Sequence, residues 1–86
     1  MIKMTCKHKN KGTCSSQVTF DIVSGKVHNV TFTGGCSGNL QGIASLIEGM
    51  DAVEAARRLK GIQCGFKSTS CPDQLSQAIE EALETL

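Results

Sequence analysis

The chain changes its hydrophobic period once, and that change limits the folds open to it. QVTFDIV (17–23) alternates, with Val18, Phe20 and Ile22 on one face. VHNVTFT (27–33) alternates again, with Val30, Phe32 and also His28 on one face. Ser24 and Gly25 fall between the two runs. Two period-2 runs around a short glycine-containing turn predict a β-hairpin. MIKMT at the start offers a third strand, at the sheet edge. GGCSGN (34–39) breaks the pattern, and Leu40, Ile43, Ala44, Ile47 and Met50 then recur at helical spacing. Gly49 marks the end of that helix. Asp51 with Glu54 has the form of a capping box for a second helix reaching Leu59, which Gly61 can close. Pro72 suits the first position of a third helix, because its missing N–H would have no partner there. That placement puts Cys71 at the N-cap and aligns Leu75, Ile79, Ala82, Leu83 and Leu86 in one apolar stripe. Strands first and helices afterwards predict an α+β domain, a two- or three-stranded antiparallel sheet followed by three helices. At 86 residues a single domain over 1–86 is expected.

Composition excludes several roles. The formal net charge is +1, and Lys7, Lys9 and Lys11 form only a short basic cluster near the start. Trp and Tyr are absent, and the aromatics are Phe20, Phe32 and Phe66. Neither a basic groove nor a stacking platform follows, so no nucleic-acid partner is expected. No apolar run is long enough to span a bilayer, and MIKMTCKHKN lacks the apolar stretch of a signal peptide. A cytoplasmic protein without a membrane partner is expected, in a compartment that keeps thiols reduced. Five cysteines there point to metal binding or thiol chemistry rather than a disulfide framework.

Four of the five fall at predicted element ends. Cys14 precedes the first hairpin strand, Cys36 sits in the glycine-rich corner, Cys64 in the loop before the last helix, and Cys71 at that helix's start. A cysteine used as a small hydrophobe belongs on an apolar stripe, and these do not lie on one. The helix N-terminus favours a thiolate by only about 0.3–1 kcal/mol, less than one pKa unit at about 1.4 kcal/mol. A bound cation deprotonates a coordinating thiol outright. The spacing between Cys64 and Cys71 is not that of a tight zinc knuckle, so the set of four carries the signal, not the pair. Inert thiols and thiol redox chemistry are the competing readings. Cys6 reads as a tolerated free thiol on an edge strand. His8, among lysines, reads as solvated, and His28 as a hydrogen-bonded strand residue. Asp73 reads as a favourable first-turn acid, with a place beside the metal as its sharper alternative.

KGTCS around Cys14, FTGGCSGNLQGI from Phe32, LIEGM, and LKGIQCGFKSTSCPDQL to Leu75 together resemble the TSCPD-domain family, whose motif stands here as Thr69-Ser70-Cys71-Pro72-Asp73. The resemblance covers nearly the whole chain and implies that Cys14, Cys36, Cys64 and Cys71 are the family's four cysteines, with Cys6 lacking a counterpart. Similar domains occur at the C-terminus of cobalamin-dependent ribonucleotide reductases. The resemblance therefore implies a module that assists such an enzyme; the label ribonucleoside-diphosphate reductase would rest on homology alone. The order of elements also resembles U-type iron–sulfur cluster scaffolds at a distance. By that analogy Cys14, Cys36 and Cys71 take the scaffold positions and Cys64 supplies a fourth ligand. The expectation is a non-enzymatic module that holds zinc or an iron–sulfur cluster through four thiolates, with a role beside a reductase or in cluster assembly. A thiol-redox helper of ribonucleotide reductase is the alternative.

Overall fold

In the computed structural model, which describes residues 3–35 and 37–85, three strands precede three helices. The strands are β1 (Lys3–Lys9), β2 (Ser15–Val23) and β3 (Lys26–Gly34), and the helices are α1 (Ser37–Ile47), α2 (Ala52–Leu59) and α3 (Cys71–Glu84). The sheet is antiparallel in the order β1-β2-β3, so the N-terminal strand is indeed an edge. The hairpin turns at Ser24 and Gly25, whose φ angles of 52° and 76° are both positive. That is the two-residue geometry whose twist matches the flanking strands.

Val18, Phe20 and Ile22 are fully buried, as their alternation predicts. They join Val27, Val30, Leu75 and Ile79 in one core cluster beneath the helices. Each such side chain contributes about 1.5–3 kcal/mol on burial. Met4 and Cys6 of β1 pack against the same cluster. Cys6 is therefore half-buried and not merely tolerated at the edge. Burial, and then the Asp21 carboxylate, push its thiol up.

The alternation of β3 fails at one residue. Thr19 pairs with Thr31 but Asp21 pairs with His28, so β3 carries one extra residue across this interval. Asn29 lies there with φ of 57°. Its backbone N–H donates to Glu48 Oε1 at 2.9 Å, and its side-chain amide donates to Asp21 Oδ2 at 2.9 Å. A β-bulge reverses the inward and outward sense of every residue beyond it. Val27 and Val30, three apart, consequently both face the core. His28 does not share their face, which corrects the strict alternation expected from the sequence. Its Nδ1–H instead donates to Glu48 Oε2 at 2.6 Å.

Asp51 caps α2 as expected, accepting from the Glu54 N–H at 3.1 Å. Glu54 does not return the bond, because its carboxylate is held by Arg57. The cap segment also runs beside the hairpin end: Gly49 N–H donates to Val27 O, and Ala52 N–H to Gly25 O. Helices α2 and α3 meet over small residues, and the buried Ser76 hydroxyl donates to Ala56 O at 2.7 Å. Two helix starts differ from expectation. Helix α1 begins at Ser37, so the corner after β3 is shorter than GGCSGN. Helix α3 is capped by Ser70, not Cys71; the Ser70 hydroxyl accepts from the Asp73 N–H at 3.1 Å. A serine oxygen is a far better acceptor for that orphan donor than a thiol. Leu75 and Ile79 of the last stripe are buried, while Leu86 lies outside the described residues.

Candidate functional site

Cys71 occupies the first turn of α3 with only 6% of its surface exposed. Its position there follows from the Ser70 cap, which fixes where the helix begins. Cys14 ends the connection from β1 and enters β2 at Ser15. The two sulfurs stand 3.8 Å apart, although the residues are 57 positions apart in sequence. Cys64, on the exposed 61–69 loop, lines the same cavity of about 240 Å³ without joining that contact. Leu40, Ile43 and Ile62 make the cavity wall largely apolar. Cys36 lies outside the described residues. Among the described residues, no three His, Cys, Asp or Glu side chains form a group that could hold a metal ion.

Ser15 is the residue that sequence reading passed over. It is 1% exposed, and its Oγ lies 2.8 Å from Cys71 Sγ. Asn10 Nδ2 donates to the same hydroxyl at 2.8 Å, which leaves the serine's own proton for the sulfur. Burial pushes the Cys71 thiol up, but hydrogen bonds from the Ser15 side chain and backbone, from Cys14 and from Thr13 outweigh it and hold the thiol below its ordinary range. These hydrogen bonds act on the sulfur in addition to its place in the first turn of the helix. The signal in the sequence was the serine directly after Cys14. Its inward placement depends on a register shift between Ser15 and Gln17, which alternation does not show.

Gly35 explains the glycine at the corner. Its φ is +81°, and a Cβ there would lie 3.1 Å from Cys14 Sγ and 3.0 Å from Leu40 Cδ1. A side chain there would crowd the sulfur, and the positive φ disfavours one in any case.

Asp73 is buried and fully engaged. Oδ1 accepts from the Gly61 N–H at 2.7 Å, and Oδ2 accepts from the Thr69 hydroxyl and, at 3.2 Å, from Gln77 Nε2. The Thr69 hydroxyl and the Gly61 N–H hold its carboxyl below the usual range. Its role here is to tie the ends of the Cys64 loop to the start of α3. Gln74 makes the matching tie on the other side. Its Oε1 accepts from the Lys11 N–H and from His8 Nε2–H, each at 3.2 Å. His8, expected to be solvated, therefore turns inward from β1 toward α3. The two ties seat Cys14 and Cys64 on either flank of Cys71.

No helix among the described residues is long and apolar enough to cross a membrane. Neither a curated protein nor a solved structure shows significant similarity to the chain. The sequence pattern of the TSCPD domain matches residues 2–83, which carry the whole constellation of Cys14, Ser15, Cys71 and Asp73. On that match, the chain belongs to the TSCPD-domain family.

Proposed function

We propose that the protein is a small metal-binding module, holding zinc or an iron–sulfur cluster through Cys14, Cys36, Cys64 and Cys71. The observation that supports this reading best is the sulfur spacing. At a Zn–S distance of about 2.3 Å, two thiolates on a tetrahedral ion stand about 3.8 Å apart, and Cys14 and Cys71 stand at 3.8 Å. Cys64 lines the same cavity, on a loop whose movement would bring it in. Cys36 follows Gly35 directly in sequence, and Gly35 packs on Cys14 Sγ. Thiolates suit both zinc and iron–sulfur clusters. Four of them would close the site to substrate, which fits a structural or carrier role better than catalysis.

The family's presence in ribonucleotide reductases supports assistance to such an enzyme, or to cluster assembly, as the setting. A thiol-redox helper of the reductase is the second reading, favoured by the direct Cys14–Cys71 contact. Elemental analysis of protein purified without oxygen separates them. Stoichiometric zinc, or iron with sulfide, lost in Cys14→Ser and Cys71→Ser, is the expected result. Protein that takes up neither, under strict reduction and with metal supplied, would overturn the metal reading.

A further inference from the structure

We propose that Cys14 and Cys71 form a reversible thiol–disulfide couple, oxidised by a low-molecular-weight disulfide and exclusive of metal at the same two sulfurs. The inference rests on reading these thiols as one centre. It adds an order of events that the arrangement dictates.

Cys14 is exposed and Cys71 is buried, so an external disulfide meets Cys14 first. The Cys14 thiolate attacks one sulfur of the reagent, a mixed disulfide forms at Cys14, and the other half leaves as thiolate. Cys71 then attacks the Cys14 sulfur of that mixed disulfide. The Cys14–Cys71 bond forms and the second half leaves. Two electrons pass from the protein to the reagent, and the two thiol protons end on the two released thiols. The step requires the sulfurs to close from 3.8 Å to a bond of about 2.05 Å. Cys71 is the fixed partner, since the Ser15 hydroxyl holds its sulfur at 2.8 Å and α3 is anchored through Asp73 and Gln74. Cys14 is the partner that moves, at the end of the irregular connection into β2. Cys64 has no such neighbour sulfur among the described residues. Once bonded to each other, neither Cys14 nor Cys71 is a thiolate able to take a metal.

The test is peptide mapping of the full chain. Reduced, chelator-treated protein receives oxidised glutathione, free thiols are alkylated, and the linked peptides are identified by mass. The expected product is a Cys14–Cys71 link. In Cys71→Ser the adduct should persist on Cys14, and in Cys14→Ser Cys71 should carry none. A Cys14 link to Cys64 or Cys36, or an adduct persisting on Cys14 in the unmodified chain, would overturn the proposal. The mapping of the unmodified chain does not depend on any variant folding. It also reads independently of metal content: a chain that binds no metal yet forms this link loses the metal reading and keeps the couple. Protein reloaded with zinc should form the link at least tenfold more slowly, and equal rates would refute the exclusivity.

Discussion

Replacing Asp73 with alanine should separate the anchoring of the Cys64 loop from the chemistry of the thiols. The substitution removes the acceptor for the Gly61 N–H and the Thr69 hydroxyl. Gln77 is exposed and can turn to water, so its bond adds little. Hydrogen bonds to a charged group contribute about 1.5–3 kcal/mol each and are not fully additive, so a loss of about 3 kcal/mol is expected. Asp73→Asn keeps one carbonyl oxygen for Gly61 and should lose about 1 kcal/mol. Because these bonds hold the Asp73 carboxyl below its unfolded value, their contribution is complete above the unfolded pKa of about 3.9. It is lost as pH falls through the folded value. Urea unfolding at neutral pH and again in acid, below the unfolded value, should therefore show a large difference between wild type and Asp73→Ala that shrinks as the pH falls. A neutral-pH loss below about 1 kcal/mol, or an equal loss at both pH values, would refute the tie between loop and helix.

Four further outcomes follow from the same geometry. Cys71→Ser should weaken metal binding more than Asp73→Asn in competitive chelation, since Asp73's oxygens are already engaged; equal losses would place Asp73 among the ligands. Gly35→Ala should lower the melting temperature through a left-handed φ costing about 1–2 kcal/mol and displacement of Cys14 Sγ, while Gly38→Ala, which meets nothing within 4 Å, should not. At the bulge, Asn29→Gly should be milder than Asn29→Ala in urea unfolding, because only glycine relieves the positive φ while both lose the bond to Asp21. Metal removal should leave most of the helical circular dichroism, because the core does not include the thiol loops; structural zinc can supply about 10–16 kcal/mol in small peptides that lack such a core, and complete unfolding would show that this one is insufficient.

Local rules carried much of this fold. The alternation of Val18, Phe20 and Ile22, the Ser-Gly turn, the Asp51 cap and the stripe through Leu75 and Ile79 are each decided by neighbours within a few residues, so the sequence alone determined the hairpin and the helices. The cysteines could be singled out as a chemical class for the same reason: their placement at element ends is a local property. What reaches across the chain was not legible. The bulge at Asn29 is held by Asp21 across the hairpin and by Glu48, 19 residues away, which also takes the His28 ring. Ser70 rather than Cys71 caps α3, although Ser70 followed three residues later by Asp73 is a capping pattern that the proline overshadowed. Only the tertiary structure brought Cys14 against Cys71 and slid Ser15 beneath the sulfur. Pair contacts between residues 57 apart depend on how sheet and helix stack, and stacking is a property of the assembled core, which no local pattern contains.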